Sequence, residues 1–129
     1  MDSISNMITK IRNASARGIE TVSFPYSKIT LAIAELLQNE GFIKDVVKKG
    51  KKVHKTIEAT LVYDEERQPR VTGVERVSKL SKRVYAGVSD IKSVRSGYGV
   101  LVLSTPAGLL TDKQARTQKV GGEVLFKIW

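Results

Sequence analysis

At 129 residues the chain has room for one compact unit or two very small ones, because single cores grow to about 100–150 residues, and a large multidomain enzyme is excluded. A composition of 41% hydrophobic and 27% charged residues excludes a wholly disordered basic tail, while 22 Lys and Arg against 13 Asp and Glu, a formal charge of +9, point to a polyanionic partner. Cysteine is absent and His54 is the single histidine, which excludes a disulfide framework, a thiolate metal site and a His-based zinc centre; no cofactor is expected.

Ile4, Met7, Ile8 and Ile11 recur at helical spacing behind Asp2 and Ser3 as caps, predicting an amphipathic helix that ends near Gly18. Thr21 to Phe24 is a short strand stopped by Pro25. Ser27 then caps a second helix whose Ile29, Ile33, Leu36 and Leu37 point inward, with Gly41 as the residue that closes it. Phe42 to Val47 reads as a strand, Lys48-Lys49-Gly50-Lys51-Lys52 as a basic hairpin tip, and Val53, Ile57, Ala59, Leu61 and Tyr63 as one face of the return strand.

The polar segment Asp64 to Pro69 is the expected boundary between an N-terminal α/β domain, 1–64, and a C-terminal β-rich domain, 65–129. Beyond it, Val71 to Val77 and Val84-Tyr85 read as strands around a basic loop, Ser89 to Val94 as a helical turn, and Val100 to Leu103 as a buried strand. Thr111 and Gln114 form a capping box that starts a short helix, and Gly121-Gly122 turns the chain into a last strand, Glu123 to Trp129. The fold class expected is α+β, an αβαββ half packed against a β-rich half with a short helix.

The cationic excess is +3 over residues 1–64 and +6 over 65–129, so the electrostatic footprint leans C-terminal. Its densest stretch, Arg76 to Tyr85, carries Lys79, Lys82 and Arg83 with hydroxyls and an aromatic, a mix suited to phosphates and a stacked base, although a charge run is also what a solvated face looks like. The lysines of the 48–52 tip admit the same two readings. Lys28, in the first turn of the second helix, opposes the helix dipole and so suggests an external anion. Ser104 to Asp112 reads as a strand running into a hydroxyl-bearing loop and then a capped helix, bringing hydroxyls and backbone amides to where a shallow RNA minor groove could be met. An ordinary strand-to-helix connection reads the same way.

Catalysis finds no support. His54 has no acidic partner beside a nucleophile, Gly97 and Gly99 precede a strand where a dinucleotide fingerprint would follow one, and the carboxylates are scattered. The longest uncharged run, Ser96 to Thr111, is broken by Gly, Ser, Thr and Pro and falls short of the roughly 20 apolar residues of a spanning helix. Met1-Asp2-Ser3 lacks the layout of a signal peptide, so the protein is expected to be soluble and unexported, with no membrane partner.

Ser104-Thr105-Pro106-Ala107-Gly108-Leu109-Leu110-Thr111-Asp112-Lys113-Gln114-Ala115-Arg116, followed by Gly121-Gly122-Glu123-Val124-Leu125, resembles the C-terminal signature of small-subunit ribosomal protein eight, bacterial type. The blocks from Asp2 to Ala14, Ser27-Lys28 and Glu40 to Ile43 resemble that family in the same order, so the likeness covers nearly the whole chain. It implies a primary RNA-binding protein that holds a helix of the central domain of small-subunit ribosomal RNA and helps to assemble the subunit. Contact roles are implied for Ser104, Thr105, Gly108 and the Gly121-Gly122-Glu123 turn, and further for Lys28, Lys55, Lys79, Arg83 and Tyr85. Small-subunit proteins five and twelve are the implied neighbours, the messenger RNA of the protein itself a further ligand, a monomer the state outside the ribosome, and the cytoplasm, or an organelle, its place. Two departures stand out: Pro106 replaces a serine, removing a hydroxyl and a backbone donor, and Leu80-Ser81 stands where the family has Pro-Gly.

Overall fold

The computed structural model of the protein describes residues 3–50, 53–79 and 81–129. It divides into two compact units, Met1–Thr72 and Gly73–Trp129, each combining helix with antiparallel sheet, so the fold is α+β.

The first unit runs in the order α1 (Ser3–Arg17), β1 (Thr21–Pro25), α2 (Lys28–Asn39), β2 (Ile43–Lys49) and β3 (Thr56–Leu61). Ile4, Met7, Ile8 and Ile11 form the buried stripe of α1, as their spacing requires. On α2 the fully covered positions are Thr30, Ile33, Ala34 and Leu37; Ile29 and Leu36 are only half-buried. Ser27 Oγ accepts from the Thr30 amide at 3.1 Å while Thr30 Oγ1 accepts from the Ser27 amide at 2.9 Å, a reciprocal cap. At the far end Phe42 N–H bonds to Leu37 and Gly41 N–H to Gln38, and Gly41 at φ +84° takes the left-handed conformation that this closure needs. The sheet order is β1-β3-β2, with Ile57, Ala59 and Leu61 of the central strand facing the core.

Several expectations shift here. Val53 is not on the return strand; it sits in a turn and is 84% exposed, because β3 starts only at Thr56. Lys48 and Lys49 belong to β2 rather than to a tip, and Lys51 and Lys52, like the proposed cap Asp2 and the turn residue Leu80, lie outside the described residues. Asp64 to Pro69 closes on itself: Tyr63 pairs with Pro69, and Asp64 Oδ1 accepts the amides of Glu66 and Gln68, each at 2.8 Å.

The second unit contains β4 (Val74–Arg76), β5 (Tyr85–Ala86), β6 (Val100–Thr105), β7 (Gly108–Thr111), α3 (Asp112–Gln118) and β8 (Gly122–Ile128). Its sheet runs β4-β8-β6-β7, with β5 also pairing with β8, so the last strand in sequence is central. Leu101, Leu103, Leu110, Ala115 and Val124 form the apolar cluster on one face, together with Ile91 and Val94. The strand expected over Val71 to Val77 is confined to Val74–Arg76, and the helical turn expected over Ser89 to Val94 reduces to 3-10 turns at Val88–Asp90 and Arg95–Gly97. The capping box at the start of α3 is present, with Thr111 Oγ1 accepting from the Gln114 amide at 3.2 Å and Gln114 Oε1 from the Thr111 amide at 3.0 Å. Asp112, buried beneath it, accepts from the Leu101 amide at 3.1 Å and from Arg116 at 3.2 Å.

Candidate nucleic-acid interface

Ser104 to Asp112 does not run from a strand through a loop straight into a helix. Gly108–Thr111 is a strand, so the chain forms a β6–β7 hairpin whose tip is Pro106-Ala107, not a loop leading directly into α3. Pro106 suits the first central position of such a turn because its ring presets φ. Thr105 Oγ1 locks the turn from inside, accepting from the Ala107 amide at 3.1 Å and donating to the Gly108 carbonyl at 2.8 Å. Thr111, the cap of α3, pairs with Val102 at the other end of the hairpin, so the helix amides do not converge with the hydroxyls at the tip.

What converges instead is a row across the sheet. Ser104 pairs with Glu123, Glu123 with Tyr85, and on the other side Ser104 with Leu109. Direct cross-strand partners share a face, and this face is opposite the one that carries Leu103 and Val124. Ser104 is exposed and Tyr85 is 69% exposed. Between them Glu123 accepts from Arg83 Nη1 at 3.1 and 3.2 Å, an ion pair that holds the guanidinium beside the row while leaving it 49% exposed.

The two glycines that open β8 make this closeness possible. A Cβ on Gly122 would lie 2.2 Å from the Ser104 carbonyl oxygen, and one on Gly121 would lie 2.4 Å from the Ala86 carbonyl oxygen. The segment thus forms a notch in which three strands meet with no side chain between them. Gly108, at φ +105°, follows the tip. The structure therefore brings Ser104, Thr105, Gly108, Gly121, Gly122, Glu123, Tyr85 and Arg83 to one end of one sheet.

Lys79 lies on the loop that leads there. It exchanges backbone hydrogen bonds with Lys82 at 2.9 and 3.0 Å, forming a tight turn that directs cations outward. Ser78, fully buried, anchors that loop: its Oγ accepts from the Val84 amide at 2.8 Å and donates to the Val84 carbonyl at 3.1 Å.

Lys28 and Lys55 belong to the first unit. Lys28 is the first residue of α2, and the Lys55 ammonium lies 5.6 Å from the centroid of the Tyr26 ring, with that of Lys48 at 5.3 Å. Tyr26 had no signal in the sequence beyond its place before the Ser27 cap. Its ring gathers two lysines that lie 22 and 29 residues further along the chain, an arrangement worth about 0.5–1 kcal/mol per exposed cation. His54 is exposed beside them, and among the described residues no group of His, Asp and Glu could hold a metal ion. No helix among the described residues is long and apolar enough to cross a membrane.

Comparison with known proteins agrees in extent with this whole-chain architecture. The model of the family described as Ribosomal protein S8 matches residues 2–129. The chain is 47% identical over 128 residues to the small ribosomal subunit protein uS8 of Roseiflexus castenholzii, covering 99% of this chain and 97% of that protein. It is 48% identical over 130 residues to its counterpart from Chloroflexus aggregans, at 99% and 97% coverage, and 41% identical over 128 residues to that of Helicobacter pylori, at 99% and 98%. The chain belongs to the ribosomal protein S8 family.

Proposed function

We propose that the protein binds a helix of the central domain of small-subunit ribosomal RNA and helps to assemble that part of the subunit. Membership in this family makes it a structural, non-enzymatic constituent of the small subunit. The observation that carries the finer reading is the Ser104–Glu123–Tyr85 row beside the glycine notch. It sets a free hydroxyl, an aromatic ring and the Arg83 guanidinium within one exposed strip, groups that meet 2′-hydroxyls, bases and phosphates of a shallow minor groove. Ser104 supplies the direct hydroxyl contact, while Thr105 acts by keeping the turn closed. Lys79, and in the first unit Lys28 and Lys55, neutralise phosphates without reading sequence.

Small-subunit proteins five and twelve are the proposed neighbours, and a mimic of the RNA helix in its own messenger RNA a further ligand. Outside the ribosome the protein is proposed to be a cytoplasmic monomer.

Titration of the protein with a central-domain RNA fragment and with a scrambled duplex of equal length, at several salt concentrations, tests this reading. Both affinities fall with salt as counterions are released. The cognate fragment is expected to bind tighter by orders of magnitude, and Ser104→Ala to remove much of that advantage while leaving duplex binding unchanged. Equal affinity for the two RNAs at every salt would instead identify a nonspecific basic RNA-binding module carried by the +9 charge.

A further inference from the structure

The opposite face of the second unit's sheet carries a cavity of about 460 Å³ that the reading above does not use. Its floor is Val94, Leu101 and Val124, members of the apolar cluster, so it opens away from Ser104, Glu123 and Tyr85. Its volume falls in the range of about 300–1,000 Å³ typical of small-ligand sites. The charged rim is mixed: Glu75 and Asp90 carry carboxylates, Lys92 and Lys127 ammonium groups. Glu75 and Lys127 stand directly opposite one another in the β4–β8 register, yet the ion pairs among the described residues involve none of these four side chains. Both signs are therefore available to an incoming group.

One wall is built with unusual backbone. Trp129 exchanges hydrogen bonds with Gly73 at 3.0 and 3.1 Å, and a Cβ on Gly73 would lie 2.5 Å from the indole. A Cβ on Gly99 would lie 2.5 Å from the Ile128 carbonyl oxygen and 2.8 Å from the Trp129 Cβ, so glycine is required on both sides of the last residue. Arg95 holds a left-handed φ of +49°, and its guanidinium sits 4.5 Å from the Trp129 ring centroid. A non-glycine residue in that region costs about 1–3 kcal/mol and is kept where the surroundings fix it, commonly at ligand sites.

We propose that this cavity binds an unpaired guanine nucleotide. The base stacks on the Arg95 guanidinium, a planar platform of the kind that receives splayed-out bases. Its amino and imino edge donates to the carboxylate of Glu75 or Asp90, and its phosphate meets Lys92 and Lys127. A peptide could satisfy the charges, but only a planar base also extends the stack that the Trp129 ring begins on the guanidinium. The same chemistry is offered by a free mononucleotide and by a guanosine flipped out of an RNA, since a flipped base enters a pocket as a separate unit.

Trp129 is the sole tryptophan, so its fluorescence in the intact chain reports on this wall. Titration with GMP is expected to change the emission saturably, with UMP weaker by about fivefold or more, the discrimination of one good base-edge pair. Glu75→Gln combined with Asp90→Asn removes the preference for GMP, and Lys92→Ala combined with Lys127→Ala weakens both nucleotides. A short RNA with one unpaired guanosine competes with GMP if the source is RNA; if it does not compete while GMP still saturates, the free nucleotide is the ligand. No saturable change with GMP or with that RNA overturns the proposal, as does an equal response to UMP, or a response to a charged apolar peptide and not to GMP. Ser104→Ala leaves the fluorescence titration unchanged, which separates this outcome from failure of the ribosomal RNA reading.

Discussion

Replacing Gly122 with alanine tests how the sheet end is built. The added Cβ would lie 2.2 Å from the Ser104 carbonyl oxygen and 3.0 Å from Thr105 Cγ2. To bring the first contact to the 3.0 Å that real Cβ atoms keep, β6 and β8 must part locally by about 0.8 Å. Strand β6 cannot yield by sliding, because β7 holds its other edge and Val102 and Leu103 are wholly buried. A ladder hydrogen bond of about 2.9 Å stretched by that amount leaves the range in which N–H···O attraction counts. Losing one or two such bonds at about 1 kcal/mol each, together with the overpacking strain of about 1–3 kcal/mol, gives a destabilisation of about 2–5 kcal/mol.

Urea unfolding followed by Trp129 fluorescence measures this in the unit that changes. With a mid-range slope of about 2 kcal/mol per molar, the midpoint should fall by about 1–2.5 M. Gly87→Ala is the matched control, since the nearest atom to its Cβ is Asp90 Oδ2 at 3.9 Å; it should be neutral or raise the midpoint slightly through the unfolded chain. A Gly122→Ala midpoint equal to that of Gly87→Ala would refute the close approach as the reason for glycine here.

Ser27→Ala removes one arm of the α2 capping box and should cost about 1 kcal/mol, read as a lower urea midpoint by circular dichroism; an unchanged midpoint would mean that the cap adds nothing to the folded unit. Ser78→Ala leaves the Val84 amide without its acceptor and should cost about 1–3 kcal/mol, with faster hydrogen exchange at Val84; wild-type exchange there would show that the buried hydroxyl does not anchor the basic loop. Tyr63 donates to the carbonyls of Ala14 and Ile19, and desolvation holds its pKa above the ordinary value even though Arg67 pulls the other way. The neutral phenol is the form favoured by folding, so its contribution is present below the ordinary pKa of about 10 and is lost as pH rises through the higher folded value. Unfolding midpoints of wild type should therefore drop in alkali more steeply than those of Tyr63→Phe, and parallel curves would count against this.

The parts of the fold that were legible in the sequence are those whose cause is local. The Ile4, Met7, Ile8, Ile11 stripe, the Ser27 cap, the Gly41 closure and the Thr111–Gln114 box each depend on residues within one or two turns, and each is present. Strand β7 escaped because Gly108–Thr111 is short and its hairpin turn, Pro106-Ala107, lacks the Asn-Gly or Asp-Gly pair that announces such turns. Val53 was misplaced because period-two spacing continues formally through a turn that the backbone does not honour. The basic clusters were visible as charge, but not their partners. Arg83 meets Glu123 across a separation of 40 residues, and Tyr26 gathers Lys48 and Lys55 only once the sheet has formed.

The Gly121-Gly122 pair shows why a motif can be placed correctly and still be explained wrongly. Read along the chain, paired glycines signal a turn, and the last strand does begin there. Yet Gly122 is itself the first residue of β8, and what it answers to is the Ser104 backbone at 2.2 Å from an absent Cβ. The requirement comes from a strand whose sequence position is far away, and it becomes visible only when the registers Tyr85 to Glu123 and Glu123 to Ser104 are both known. The same logic applies on the other face, where the Trp129 indole lies against Gly73 and the Ile128 carbonyl and Trp129 Cβ lie against Gly99. In both places the missing side chain makes room for a contact between distant segments.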